Sequence, residues 1–283
     1  MKILITGAGG MLGRAVGETL SLEHDVVALA RTDLDFTDLG VTLAALARTK
    51  PQVVIHAGAL TDVDGCERDP DGAWRVNALG SRNVAVACQE AGAACCYIST
   101  DYVFDGEKPD PYTEFDAPNP ISCYGASKLA GERYVQTLMP RHWIVRSSWL
   151  FGPGGKNFVK TILAKARTGE GLRVVDDQVG SPTYTHDLAR AISRLISGPY
   201  YGIWHLTNSG SCSWYRFAAA ILENAGLRGT RLEPIGSKDL GRPAPRPRNS
   251  VLRNYCWDLL RWPRPRPWAD ALLEYLAHPD VAG

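Results

Sequence analysis

The sequence places a tyrosine and a lysine four residues apart, at Tyr124 and Lys128. Residues at this spacing share one face of a helix, so the phenol and the ammonium group would project into the same space. A free tyrosine has a pKa of about 10 and is a weak acid at neutral pH, but a nearby cation favours its ionised form. The pair therefore predicts a proton donor and its electrostatic partner.

A hydroxyl that could assist this pair is found at Thr100. Thr100 follows a predicted strand over residues 94–99, and the carboxyl ends of parallel strands are where ligands of such sheets bind. The hydroxyl could donate to a substrate carbonyl oxygen and polarise it beside the tyrosine. The structural alternative for Thr100 is a helix or turn cap.

A glycine-rich turn opens the chain immediately after a predicted strand over residues 2–6. Glycine allows a tight turn and close approach of a diphosphate, while the N-terminus of the following helix offers free N–H groups. Because the turn stands between a strand and a helix, it predicts a dinucleotide site. The residues assigned to it are Gly7, Gly10, Met11, Leu12 and Gly13.

The choice of dinucleotide depends on Arg31, which follows the second predicted strand. An NAD-preferring site would have a carboxylate there for the ribose 2′-hydroxyl, whereas an arginine can pair with a 2′-phosphate. NADPH is therefore expected in preference to NADH, unless Arg31 is an ordinary solvated loop residue. Asp35 and Phe36 could meet the adenine edge, although a cap or turn is an alternative role for Asp35.

The elements that must position these residues follow from the alternation of short apolar runs with amphipathic stretches. The predicted fold is α/β, a doubly wound, Rossmann-like parallel sheet with a smaller C-terminal substrate-binding lobe. Residues 1–150 form the dinucleotide-binding domain, 184–210 rejoin its sheet, and 151–183 with 211–283 form the lobe. The predicted strands are residues 2–6, 25–30, 53–57, 94–99 and 143–146; the predicted helices are 12–22, 39–49, 73–91 and 122–138.

Composition excludes several classes of protein. The formal net charge is only +1 in 283 residues, which argues against a nucleic-acid partner. No apolar run approaches the roughly 20 residues of a membrane helix. Seven scattered cysteines indicate neither a disulfide framework nor a zinc site, so no metal ligands are assigned and a cytoplasmic location is expected.

Several longer segments resemble one family of enzymes. They are residues 99–106 (Ser-Thr-Asp-Tyr-Val-Phe-Asp-Gly), 124–132 (Tyr-Gly-Ala-Ser-Lys-Leu-Ala-Gly-Glu), 146–149, 177–183 and 246–250. With the glycine-rich turn, they make nearly the full chain similar to the extended short-chain dehydrogenase/reductases, and within them to the dTDP-4-dehydrorhamnose reductases.

The resemblance implies reduction of the C4 ketone of a dTDP-4-keto-6-deoxyhexose, giving dTDP-L-rhamnose. Tyr124 would donate the proton, Lys128 would assist it and hold the nicotinamide ribose, and Thr100 would bind the carbonyl. Asp101 and Trp149 would contact the sugar nucleotide with Val63 nearby, although Trp149 is equally explicable as a core aromatic. The residues implied along the cofactor after the third strand are Ala57, Gly58, Ala59, Leu60 and Thr61.

Three other functions compete with this one. A dehydratase or epimerase of the same fold needs a carboxylate where Tyr102 stands, so net reduction is favoured. A non-catalytic cofactor-binding regulatory subunit would not need Thr100, Tyr124 and Lys128 together. A 4-ketoreductase for another nucleotide deoxysugar would share all the chemistry above. The resemblance also raises Mg²⁺-assisted homodimerisation, for which no spacing identifies ligands.

Two further features have modest interpretations. His56 replaces the asparagine common in the wider family, and we expect a hydrogen-bonded core histidine rather than a titrating one. The Arg-Pro stretch 242–248 could supply a guanidinium to a diphosphate, but such runs are usually solvated, extended loops.

Overall fold

The architecture is seen in a computed structural model that describes residues 1–169 and 171–281. The strands are β1 (Lys2–Thr6), β2 (Asp25–Leu29), β3 (Val53–His56), β4 (Ala94–Thr100), β5 (His142–Ser147), β6 (Leu150–Phe151), β7 (Leu172–Val175), β8 (Val179–Gly180), β9 (Thr183–Tyr184), β10 (Gly202–His205), β11 (Cys212–Ser213) and β12 (Leu232–Ile235).

The α-helices are α1 (Met11–Leu20), α2 (Leu39–Thr49), α3 (Val63–Arg68), α4 (Pro70–Ala73), α5 (Ser81–Ala91), α6 (Cys123–Leu138), α7 (Phe158–Arg167), α8 (Thr185–Ile196), α9 (Trp214–Asn224), α10 (Tyr255–Leu259) and α11 (Trp268–Leu276). A π-helical segment covers Trp74–Gly80, and short 3₁₀ turns cover Asp101–Val103 and Ser237–Leu240.

A six-stranded parallel sheet in the order β10-β5-β4-β3-β1-β2 forms the centre of the molecule. Every residue of β3 and β4 is buried, as expected for parallel strands covered on both faces. The strand order reverses between β1 and β3, so a crevice opens at their carboxyl ends. The predicted doubly wound fold is confirmed.

Helices cover both faces of this sheet. On one face α1 and α8 share a core cluster with β1, β3, β4, β5 and β10. On the other face α2, α5 and α6 pack against the opposite side chains of the same strands. Thus α8 and β10, which follow a long excursion of the chain, complete the sheet that the first 147 residues begin.

One predicted helix differs from the structure in a way that affects the site. The helix expected over residues 73–91 is a longer helical run that begins at Pro70 and passes through the π-helical segment before α5. A π-helical segment inserts extra backbone into a helix and is frequent at functional sites. Here it contains Asn77, whose side chain reaches the loop that follows β3.

The C-terminal lobe has its own apolar core, formed mainly by α7, α9 and α11. Three two-stranded sheets belong to it or border it, pairing β7 with β12, β8 with β11 and β6 with β9. The predicted lobe also includes residues 170, 282 and 283, which lie outside the described residues. Within the described ranges, no helix is long and apolar enough to cross a membrane.

Candidate active site

The glycine-rich turn fits tightly against the loop after β3. Gly7 has φ +72°, and a Cβ there would lie 2.5 Å from the Cα of Gly58. A Cβ on Gly13 would overlap the carbonyl of Gly7. Gly10 is the N-cap of α1 and brings no side chain to its first N–H groups. The turn therefore presents exposed backbone at a helix N-terminus, which suits a diphosphate.

The loop over residues 57–61 lies beside this turn, at the crevice where the strand order reverses. The side-chain amide of Asn77 fixes it, since Oδ1 accepts from the Leu60 N–H at 2.8 Å and Nδ2 donates to the Leu60 carbonyl at 3.0 Å. Nδ2 also lies 3.1 Å from the hydroxyl of Ser127 on α6. One asparagine thus ties the predicted cofactor loop to the helix that carries the tyrosine and the lysine.

At the far end of the crevice, Arg31 is exposed just beyond β2. Asp35 forms a turn in which its carboxylate accepts from the N–H and the hydroxyl of Thr37, at 3.0 and 2.7 Å. These hydrogen bonds lower the pKa of Asp35, with help from the nearby Arg31 and Arg75. Of the two roles considered for Asp35, the structure therefore shows the turn.

The side chain of Phe36 packs inward. Its ring meets His56 edge-on at a centroid distance of 4.8 Å and lies against Gly58 and Gly80, where a Cβ would approach it to 2.5 and 2.7 Å. His56 is buried and bonded to Thr6 at 2.6 Å and to Ser81 at 3.1 Å. Burial lowers the pKa of His56 to about 3, so it is a neutral core histidine.

Thr100, Tyr124 and Lys128 converge at the carboxyl end of β4. All three are less than 10% exposed. The Thr100 hydroxyl faces Tyr124 and also caps the following 3₁₀ turn, accepting from the Tyr102 N–H at 3.2 Å. Lys128 Nζ donates to the carbonyl of Ile98 at 2.7 Å. Three residues that the sequence analysis singled out separately therefore lie together in the structure.

The electrostatics of the cluster differ from the sequence-based expectation for the tyrosine. Burial raises the pKa of Tyr124 above its usual value, against a lowering contribution from the Thr100 hydroxyl. Burial lowers the pKa of Lys128 to about 7, while the carboxylate of Glu132 acts in the opposite direction. Tyr124 is thus a protonated phenol at neutral pH in this state, and the expected lowering of its pKa by Lys128 is not seen.

Asp101 brings a carboxyl group to the same place. Its Oδ1 accepts from Thr100 at 3.0 Å and the Ser250 hydroxyl lies near its carboxyl group, but no donor within residues 1–169 and 171–281 is at hydrogen-bond distance from the buried Oδ2. Burial raises the pKa of Asp101 to about 7. The next residue, Tyr102, meets the ring of Tyr124 edge-on at 5.5 Å. A buried oxygen without a partner is costly, so Asp101 is suited to accept from a ligand.

Trp149 lies where β5 leaves the sheet for the lobe. Its φ of +49° is unusual for a bulky residue, and such strain clusters at binding sites. The indole stacks on Trp214 with centroids 3.5 Å apart and rests against Gly180. Val63, at the start of α3, packs in the small cluster that includes Tyr124. Val63 thus lies beside Tyr124, whereas the contacts of Trp149 belong to the packing of the lobe.

The Arg-Pro stretch is joined to the cofactor side of the crevice by Arg246. Its guanidinium donates to both carboxylate oxygens of Asp64 on α3, at 3.0 and 2.9 Å. Burial would raise the pKa of Asp64, but hydrogen bonds from Arg246 and from the Ala244 N–H outweigh it and lower that pKa. Arg246 also lies beside the Tyr102 hydroxyl. At Arg246, the Arg-Pro stretch is therefore a largely buried contact with α3 and not a solvated loop.

The chain matches the family model described as the RmlD substrate binding domain over residues 1–280. The chain belongs to the dTDP-4-dehydrorhamnose reductase family. One similar solved structure is the crystal structure of a dTDP-4-dehydrorhamnose reductase from Clostridium acetobutylicum. Its sequence is 45% identical to this chain, the match covers 98% of each chain, and the TM-score is 0.95.

Two other relatives are similarly close to the chain. The dTDP-4-dehydrorhamnose reductase of Bacillus anthracis, solved in complex with NADP, is 40% identical, with 97% of this chain and 98% of that chain covered and a TM-score of 0.95. The spore coat polysaccharide biosynthesis protein SpsK of Bacillus subtilis is 42% identical over 97% of this chain and 96% of its own length. The resemblance inferred from the sequence is confirmed.

Within this family, several residues that contact the predicted site residues could not be found from local patterns. Asn77 lies in a π-helical segment that has no sequence signature, and Trp214 meets Trp149 only in the folded lobe. Arg14, whose Nε donates to the Gly9 carbonyl at 3.1 Å, adds a cation beside the glycine-rich turn. A basic residue one turn into the helix after such a turn is the signal that could have indicated it.

Across the described ranges, no group of three or more His, Cys, Asp or Glu side chains is placed to hold a metal ion. Among the carboxylates of the lobe side, Asp187 on α8 and Glu274 on α11 are both paired with Arg266, at 2.8 and 2.6 Å.

Proposed function

We propose that this protein reduces the C4 ketone of dTDP-4-dehydro-L-rhamnose to the alcohol of dTDP-L-rhamnose, with NADPH as the preferred reductant. One observation carries the proposal: a chain of this reductase family brings Thr100, Tyr124 and Lys128 together at the carboxyl end of β4. The same edge of the sheet carries the glycine-rich turn, so cofactor and substrate sites adjoin.

The residues of the crevice fit a dinucleotide. The close packing of Gly7 and Gly13 leaves a cradle that a Cβ would fill, and the N-terminus of α1 is positioned to hold a diphosphate. Arg31, which is exposed just beyond β2, would pair with the 2′-phosphate. Lys128 and Tyr124 would hold the nicotinamide ribose. When bound, NADPH supplies a hydride for the carbonyl carbon.

The chain's own residues would handle the proton. The Thr100 hydroxyl, which donates to Asp101 Oδ1 in this structure, would turn to donate its hydrogen bond to the carbonyl oxygen and stabilise the negative charge that develops there. Tyr124 then gives its phenolic proton to that oxygen, which becomes far more basic than a phenolate as the bond forms. Its raised pKa keeps this proton in place until then. A charged Lys128 stabilises the phenolate that remains.

Recognition of the sugar nucleotide would involve the groups around the tyrosine. The unpaired Oδ2 of Asp101 can accept from a sugar hydroxyl, and the Trp149 indole offers an apolar face. Arg246 lies close enough to Tyr102 to belong to the wall of this site. Tyr102 occupies the position at which a dehydratase would need a carboxylate, which favours net reduction.

The test is loss of absorbance at 340 nm when the protein is mixed with NADPH and freshly made dTDP-4-dehydro-L-rhamnose. Parallel reactions use NADH, and the dTDP-4-keto-6-deoxy-D-glucose precursor. Rapid oxidation of NADPH with the rhamnose ketone, and an NMR spectrum of dTDP-L-rhamnose in the product, is the expected result. Oxidation with another nucleotide deoxysugar alone would indicate the related 4-ketoreductase, and NADPH binding without turnover of any would indicate a regulatory subunit.

The organisation around this reaction is part of the proposal. Residues 1–150 with 184–210 would form the cofactor-binding unit, and residues 151–183 with 211–283 the substrate-binding lobe. All seven cysteines are free thiols, which supports a reducing, cytoplasmic setting. A homodimer stays a prediction, and sedimentation of the purified protein would measure it.

A further inference from the structure

A fully buried ion pair lies behind the reacting residues. Nε and Nη2 of Arg146, on β5, donate to the two carboxylate oxygens of Glu132, on α6, at 2.9 and 2.7 Å. Neither side chain is more than 1% exposed. The Ser99 hydroxyl donates a third hydrogen bond to Glu132 at 2.5 Å. Apolar residues of similar volume often replace such a pair without loss of stability, so stability alone does not explain it.

The ion pair lies one helical turn away from Lys128. Glu132 follows Lys128 by one turn of α6, so both side chains leave the same face of the helix toward the sheet. They meet neighbouring residues of β4, since Lys128 Nζ bonds to the carbonyl of Ile98 and Glu132 bonds to the hydroxyl of Ser99. Arg146 is the β5 residue paired with Ser99 in the sheet.

The charges that face Lys128 come from every element packed around it. They belong to Glu132 on α6, to His56 on β3 and to Tyr97 on β4, while Arg146 on β5 contacts Glu132. The buried His56 is neutral at neutral pH, and the Tyr97 ring lies 4.1 Å from Lys128 Nζ with its phenol protonated. Arg146 is itself cationic. Glu132 is the anion that offsets the burial of Lys128.

We propose that Glu132, fixed by Arg146 and Ser99, keeps Lys128 charged and thereby sets the upper pH limit of the reduction. Glu132 is a positioning residue that acts through Lys128 and does not touch the substrate. Arg146 holds the carboxylate in place through two hydrogen bonds and keeps it from moving onto the lysine. This inference rests on the proposed function for its kinetic readout, but not for the direct titration below.

The first test is the pH profile of kcat/KM for Glu132→Gln, which keeps the shape of the side chain and removes its charge. Its alkaline limb is expected to move to lower pH by about one unit or more, with the rate recovering as the pH is lowered. Glu132→Asp should return the limb toward its original position. Asp258→Asn, which removes a carboxylate from an ion pair near the surface, is the matched control and should leave the limb in place.

Glu132→Gln leaves Arg146 buried without its partner, which can prevent folding. The double variant Glu132→Leu, Arg146→Met removes both charges and is expected to fold, with a limb that moves in the same direction. The Nζ resonance of Lys128 is then titrated by ¹⁵N NMR without substrate, and Lys128→Met identifies it. A lower lysine pKa in either folded variant is the expected result. An unchanged lysine pKa would overturn the inference, whereas absence of turnover in the unaltered protein would overturn only the proposed function.

Discussion

Arg246 and Asp64 are 182 residues apart in the sequence and form an ion pair through two hydrogen bonds across the crevice. Asp64 follows Val63 at the start of α3, and Arg246 comes from the Arg-Pro stretch of the lobe. The side chain of Arg246 is 11% exposed, whereas that of Arg242, 3.7 Å from the same carboxylate, is 52% exposed. The two arginines therefore share one partner under different degrees of solvent screening.

Substituting Arg246 should weaken substrate binding. In Arg246→Gln the lobe loses its charged contact with α3, so the KM for the nucleotide sugar is expected to rise about tenfold or more. Initial-rate kinetics at saturating NADPH measure this change. Arg242→Gln is the control and should change KM by less than about threefold, because exposed pairs contribute little. Equal effects of the two substitutions would argue against a special role for the Arg246 contact.

Removing the hydroxyl of Tyr124 should abolish most turnover while leaving most of the affinity for NADPH. Tyr124→Phe is expected to lower kcat by about 10²–10⁴, the usual contribution of a positioned acid. The dissociation constant for NADPH, measured by fluorescence titration, should rise by no more than about tenfold, because one hydrogen bond to the nicotinamide ribose is lost while the glycine-rich turn is intact. Tyr134→Phe, on the same helix, should behave like the unaltered protein. A near-normal rate for Tyr124→Phe would remove its assigned role.

The preference for NADPH should depend on Arg31. Arg31→Ala is expected to raise the KM for NADPH about tenfold and to change the KM for NADH little, since only NADPH carries the 2′-phosphate. Parallel assays with both cofactors test this expectation. Arg48→Ala, an exposed arginine in the last turn of α2, serves as the control. Equal changes for the two cofactors would show that Arg31 does not contact the phosphate.

The buried histidine predicts how stability depends on pH. His56 has a pKa of about 3 in the folded chain and about 6.5 when unfolded, so the unfolded chain binds the extra proton. Its contribution to stability is full above pH 6.5 and is lost as the pH falls toward 3, by about 1.4 kcal/mol per pH unit. Urea unfolding of His56→Asn should give a lower stability at pH 8 but a smaller loss between pH 7 and 5. Loss as steep as in the unaltered chain would contradict this assignment.

Local chemistry made much of the fold predictable. The helix expected over residues 39–49 has those bounds because Asp38 caps its first turn, accepting from the Val41 N–H at 2.9 Å, and Lys50 ends it with a positive φ. The strands over residues 2–6 and 53–56 are short apolar runs that depend on little else. Such elements carry their own start and stop signals.

What the sequence could not predict depends on contacts between distant residues. The raised pKa of Tyr124 follows from its burial, and the hydrogen bond of Lys128 to Ile98 depends on how α6 lies against β4. Phe36 turns inward because Gly58 and Gly80 leave room for its ring. None of these relationships has a local sequence signal, since each arises from packing.

The place of β10 in the sheet governs how this chain can be made and divided. During synthesis β5 emerges long before β10, which pairs with its open edge, and α8, which covers the apolar face shared with α1. Until residue 205 is available, the nascent chain exposes a strand edge and an apolar surface, both of which promote aggregation. A gene truncated near residue 150 would therefore yield an aggregation-prone fragment. No single cut separates the six-stranded sheet from the apolar core of α7, α9 and α11, because α8 and β10 lie between α7 and α9 in the sequence.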